Sequence, residues 1–218
     1  MKENLEFLSY FLTPIYLTSI PEWVDTLNKQ CDPFIAQAKK INKNYYNNLS
    51  KKDKKKFGDF GLSHHSTSLI NLPEFKEFSD YIKTRSLEVL DHIGYDLKEY
   101  NLQLNNLWVQ EFAEKGGGHH EGHVHYNNHL SGFYFLKCSN KTSFPIFHDP
   151  RPAKIITQLP LKNANEISLG SEIIHNKPKP GTFIIFPAFL KHQFALDFGI
   201  EPFRFIHFNV QAVLKNNL

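Results

Sequence analysis

Residues 178–192 read Pro178-Lys179-Pro180-Gly181-Thr182-Phe183-Ile184-Ile185-Phe186-Pro187-Ala188-Phe189-Leu190-Lys191-His192. The apolar run from Thr182 to Phe186 is too short for a helix. It opens after a Pro-Gly turn and is closed by Pro187, which is the pattern of a buried strand between two turns. The same unit recurs on both sides of it, at Leu130–Cys138, Ala153–Leu159, Glu172–His175, Gln193–Phe198 and Phe203–Val213. Between these runs stand Pro150, Pro152, Pro160, Pro178 to Gly181, Pro187 and Gly199 to Pro202. Many short strands punctuated by Pro and Gly argue for a sandwich, jelly roll or barrel. No βαβ rhythm, GxGxxG or GxxxxGK[ST] pattern is present, which argues against nucleotide-binding α/β folds.

Upstream the pattern changes. Pro21 opens a stretch with Trp23, Leu27, Phe34, Ile35, Ala38 and Ile41 at loosely helical spacing, read as one or two helices. Lys51 to Lys56 is a charge run read as a solvated loop, next to Phe57-Gly58-Asp59-Phe60-Gly61. Pro73 begins a further helix with the stripe Phe75, Phe78, Ile82, Leu87, Leu90 and Ile93, and Gly94 ends it. Tyr100 to Phe112 alternates in part and reads as the first strand of the sheet. The expected organisation is a helical and loop segment over 1–99 packed on a β core over 100–218, together one structural domain.

The composition narrows the class. The chain has 218 residues, 41% of them hydrophobic, with 20 Phe and 9 Tyr, enough to fill a core. A net charge of +3 with 22 Lys and 3 Arg is mild, and the lysine run lacks interleaved aromatics, so a nucleic-acid role has little support. Cys31 and Cys138 are too few for a disulfide scaffold. No run of 18 apolar residues and no basic leader is present, so no membrane role is expected and the expected location is cytoplasmic. A homodimer is compatible with these features.

Twelve histidines are many for this length, and His119, His120, His123, His125 and His129 fall within eleven residues. On a strand, His123 and His125 would face the same side, and two neutral imidazoles converging there suit Fe, Zn, Co, Ni or Cu. The alternative is a histidine-rich exposed loop. His192 follows the proline turn after the 182–186 strand, within reach of that pair. In Phe203 to Val210, period-2 alternation sets Arg204 with Ile206, Phe208 and Val210, and His207 with Asn209 on the other face. An arginine on an apolar face needs a carboxylate partner. That partner is either a protein group such as Glu201 or Asp197, or a cosubstrate. Asp149-Pro150-Arg151 is either a lid over the barrel mouth, with Arg151 meeting an anionic substrate, or an internal ion pair pinning a turn.

These stretches resemble the family of 2-oxoglutarate/iron(II) oxygenases found in phages and bacteria, within the prolyl-hydroxylase-like superfamily. The resemblance rests on His123-Val124-His125, Leu130 to Leu136, Phe147 to Arg151, Pro180 to Pro187, His192, and Arg204 through Phe208-Asn209. It implies a mainly β protein, a cupin-like double-stranded β-helix or jelly roll with N-terminal helices packed on one sheet. It also implies iron(II) held by His123, His125 and His192. Arg204 would bind the far carboxylate of 2-oxoglutarate, with Tyr134 as a further cosubstrate contact. Asn106, Trp108 and Gln110 would lie near the site without an assigned role. Most of the superfamily carries Asp or Glu where His125 stands, and a register using His119 and Glu121 would restore an HxE pair. The implied reaction takes 2-oxoglutarate, dioxygen and an unidentified substrate, hydroxylates a C–H bond, and releases succinate and carbon dioxide.

Two rivals remain: a cupin-type metal enzyme without 2-oxoglutarate, and a non-catalytic binding barrel. Arg204 discriminates among the three. A site on the metal's side of the sheet favours the oxygenase. An Arg204 locked to a protein carboxylate with no cavity beside it favours the barrel.

Overall fold

The computed structural model describes residues 6, 8–57, 63–151, 153–157 and 159–215. Gly58, Asp59, Phe60, Gly61 and Pro152, named above as loop or turn residues, lie outside them. Among the described residues two antiparallel sheets form the body of the molecule. The larger runs β1 (Tyr16–Ser19), β8 (Thr182–Pro187), β5 (Leu130–Lys137), β10 (Arg204–Leu214), β3 (Tyr100–Phe112) and β2 (Ser63–His65). The smaller runs β4 (His120–His123), β9 (His192–Phe194), β6 (Pro145–His148) and β7 (Ile173–His175). Among the described residues the sheets share no strand pairing, so the architecture there is a jelly-roll-like sandwich without closure into a barrel.

The inner strands of the larger sheet are buried on both faces, and alternation sorts their side chains into two cores. Phe133, Phe135, Ile184, Phe186, Phe203 and Phe205 pack with Phe147, Phe194 and Leu190 between the sheets. Tyr134, Leu136, Phe183, Ile185, Ile206, Phe208 and Val210 face the helices. Leu104 and Leu107 share the helix side although three residues apart, because the β3–β10 register slips between Asn209 and Val210.

The helical layer is built by α1 (Val24–Asn48) and α3 (Lys76–Ile93). The 21–49 stretch forms a 3-10 turn (Pro21–Trp23) leading into one long helix, α1, which has Pro33 inside it and buries Leu27, Cys31, Ile35 and Ala38. In α3 the buried stripe is Phe78, Ile82, Ser86, Val89 and Leu90; Leu87 and Ile93, expected on it, are exposed. Phe75, Phe78 and Ile82 join Tyr134 and Phe183 in the helix-side core, as expected of helices lying on a sheet. Gly94, at φ +106°, ends α3 while Tyr95 N–H donates to the Leu90 carbonyl.

Three local expectations need correction. The lysine run is a short helix, α2 (Lys51–Phe57), not a loop. Ser50 caps it: its hydroxyl accepts from Asp53 N–H and donates to the Asp53 carboxylate. Residues 154–157 form a 3-10 turn rather than a strand. The 193–198 run is ordered as a strand only over His192–Phe194.

Candidate metal centre

The smaller sheet delivers two of the expected ligands. His123 ends β4 and pairs directly with His192 of β9. His125 lies beyond the strand, so strand parity does not place it; instead its N–H donates to the Ala188 carbonyl in the turn before His192. The potential ligand nitrogens of His123, His125 and His192 all lie within 4.8 Å of one another. His125 Nε2 and His192 Nε2 are 3.3 Å apart, close to the spacing of two nitrogens each about 2.1 Å from one ion.

The outer nitrogens explain why the inner ones are available. His123 Nδ1–H donates to the Glu121 carbonyl at 2.7 Å, and His192 Nδ1–H donates to the Leu190 carbonyl at 2.9 Å. Both rings therefore turn an Nε2 lone pair towards the cluster, the arrangement metal-binding histidines require. His125 Nδ1 lies 3.3 Å from the Asn209 amide, which also contacts Asn106. The same amide carries an Oδ1 without a partner. A joint half-turn of the Asn106 and Asn209 amides would let that oxygen accept from His125 Nδ1–H.

Burial, reinforced by the neighbouring histidines, pushes His125 down to about 4. Burial also pushes His192 down to about 3, against its Leu190 hydrogen bond and with the other rings' help. Both are neutral at physiological pH, as ligands must be. The donor set fits a borderline first-row divalent ion. Glu121 and His119 do not complete the cluster: both side chains are exposed, and Glu121 takes part only through its carbonyl.

The expected cosubstrate contacts lie elsewhere. Arg204 sits on the helix side of the larger sheet, opposite the histidines. It is 3% exposed, and its Nε and Nη2 each lie 2.7 Å from Glu111 Oε2, while Nη1 reaches Asp32 Oδ1 at 2.7 Å and Asn28 Oδ1 at 3.2 Å. The alternation read from the sequence is right, but the three clustered histidines lie on the other face. Tyr134 also points to the helices, and its hydroxyl donates to the Ile20 carbonyl at 2.7 Å. Arg151 pairs with Asp149 through Nε at 2.9 Å and Nη2 at 2.6 Å, with Lys154 at 3.1 Å from the same carboxylate. That is the internal ion-pair arrangement.

The space beside His123 and His125 is small. A cavity of about 20 Å³ is lined by Trp108, Gln110, His120, His123, His125, His207 and three phenylalanines. A dicarboxylate of about ten heavy atoms is far larger than the single water-sized occupant that such a volume admits. Among the described residues no lysine or arginine lines this cavity. The three imidazoles thus fit a metal, and the lining of this cavity offers 2-oxoglutarate neither room nor a cationic partner. Trp108 and Gln110 lie at the site as the resemblance implied, while His207 and Asn209, which the sequence set on the face opposite Arg204, were not placed there; their parity was the signal.

Comparison with solved structures finds the same fold. A prolyl-4-hydroxylase of Pseudomonas putida superposes with a TM-score of 0.53 at 9% identity, covering 90% of this chain and 92% of that one. An oxidoreductase of the 2OG-Fe(II) oxygenase family from Burkholderia pseudomallei gives a TM-score of 0.46 at 11% identity. That comparison covers 66% of this chain, which spans 60% of the other's length. No curated protein matches the chain in sequence. Over residues 106–201, the stretch that carries all three clustered histidines and stops short of Arg204, the chain matches the family described as "Putative 2OG-Fe(II) oxygenase".

Proposed function

We propose that the protein is a metal-dependent oxidoreductase of the oxygenase type, with one first-row divalent ion held by His123, His125 and His192. The observation that carries this reading is the convergence of three imidazoles, two of them anchored through Nδ1 on backbone carbonyls. The family match makes iron(II) the first metal to test. When bound, such an ion supplies Lewis acidity and, as iron, redox chemistry towards dioxygen. The chain's own part is ligation and exclusion of water, for which the phenylalanine packing between the sheets is suited. Arg204, locked to Glu111 as in a non-catalytic barrel, argues against 2-oxoglutarate, and the convergence of His123, His125 and His192 favours a metal centre over that barrel.

The family match supports a second reading, an iron(II)- and 2-oxoglutarate-dependent dioxygenase that hydroxylates a C–H bond and releases succinate and carbon dioxide. Anaerobic calorimetry separates the two. Iron(II) or manganese(II) should bind at one ion per chain, and His192→Ala should abolish that binding. The loaded protein should then give no saturable heat with 2-oxoglutarate. Saturable binding would establish the dioxygenase reading, and absence of metal binding in the wild type would remove both.

A further inference from the structure

His207 is a deeply buried polar side chain beside the centre. It is 2% exposed and its ring centroid lies 4.6 Å from His125, 4.2 Å from Trp108 and 5.2 Å from Phe133. Neither of its ring nitrogens has a hydrogen-bond partner, and Trp108 Nε1 has none either. The two residues face each other in register across β10 and β3. Buried groups of this kind are nearly always paired, because an unmet donor or acceptor loses its hydration without return. Both line the small cavity together with His123 and His125. The other polar wall is already engaged: Gln110 contacts His120 through Oε1 and donates to Ser63 Oγ through Nε2. Phe133, Phe194 and Phe205 make the rest of the lining apolar.

A neutral imidazole offers one donor and one acceptor, and an indole offers one donor. A cavity of about 20 Å³ has room for one water-sized occupant. We infer that His207 and Trp108 form a binding pocket for a ligand of one or two heavy atoms at the metal centre, water in the resting protein and dioxygen or a diatomic analogue in its place. This rests on the three-histidine metal reading and assigns the polar contacts of its exogenous ligand. His207 and Trp108 are the residues that decide which ligand is admitted: hydrogen-bonding, small and without a carboxylate.

The test uses nitric oxide as the diatomic probe on the anaerobic, iron(II)-loaded full chain, read by electron paramagnetic resonance of the nitrosyl complex. Trp108→Phe removes the indole N–H while keeping an aromatic ring, and His207→Phe removes both ring nitrogens. Each variant should retain one iron per chain and bind nitric oxide about five- to tenfold more weakly, the scale of one lost hydrogen bond. Millimolar 2-oxoglutarate should leave the signal unchanged. Wild-type nitric oxide affinity in both variants would overturn the assignment. So would displacement of nitric oxide by 2-oxoglutarate. Iron binding without nitric oxide binding in the wild type overturns this inference alone, whereas failure to bind iron overturns the metal reading and this inference together.

Discussion

Replacing Arg204 with methionine separates a structural arginine from a cosubstrate anchor. The guanidinium joins β10 to Glu111 of β3 and to Asp32 and Asn28 of α1. Arg204 and Glu111 are 3% and 5% exposed, so breaking their pair leaves a buried carboxylate, at a typical cost of about 3–5 kcal/mol. Glu111 keeps one strong partner, Lys39 Nζ at 2.6 Å, on a partly exposed side chain. Asp32 is mostly exposed, so losing that arm adds little. The expected cost of Arg204→Met is therefore about 3 kcal/mol, at the lower end of the range. For a chain of this size that lowers Tm by about 6–12 °C. Thermal unfolding by circular dichroism reads the shift, and metal titration of the same sample should still give one ion per chain. A Tm within about 2 °C of wild type, coupled to weakened 2-oxoglutarate binding, would refute the structural role and restore the anchor.

The same pair sets an acid response. Burial raises the Glu111 carboxyl, but Lys39 and Arg204 outweigh it and hold the group below its ordinary value of 4.5. The pair's contribution is thus complete above that pH and is lost as pH falls through the lower folded value, because the unfolded chain takes up the proton first; denaturant titrations at pH 6 and pH 3.5 should show less acid loss in Arg204→Met than in wild type. Tyr134→Phe should cost about 1 kcal/mol in urea unfolding through loss of the bond to the Ile20 carbonyl, with metal binding unchanged. Gly132→Ala should destabilise by at least about 2 kcal/mol in the same assay, since its methyl would collide with the Phe208 ring and the Ile184 carbonyl on the flanking strands.

Much of the sheet was legible because its strands are bounded by Pro and Gly. Tyr100–Phe112 is observed with the expected ends, and Leu130, Thr182 and the 203–213 run depart by about a residue. β1 and β2 went unread: Tyr16–Ser19 and Ser63–His65 are too short to show a period and owe their conformation to β8 and β3. Parity within β10 was correct, yet alternation only divides residues into two sets. In a sheet buried on both sides it does not say which set meets the histidine cluster, and so Arg204 was given the place that His207 and Asn209 occupy. The convergence of His123, His125 and His192 was anticipated through the wrong local geometry. The third contact depends on a loop hydrogen bond to Ala188 that no spacing rule encodes.

β10 occupies the middle of the larger sheet and is the last of its strands to be synthesised. β3 and β5 pair with it on opposite edges and not with each other, so until it emerges from the ribosome each of them keeps an unsatisfied row of backbone groups. The sheet is then two disconnected pieces, β2 with β3 and β1 with β8 and β5. A stalled or prematurely terminated message ending before residue 204 would yield those pieces without their central seam, rather than a shorter version of the fold. Completion of the larger sheet therefore waits for its last strand, and the open edges of β3 and β5 are closed together by that one segment.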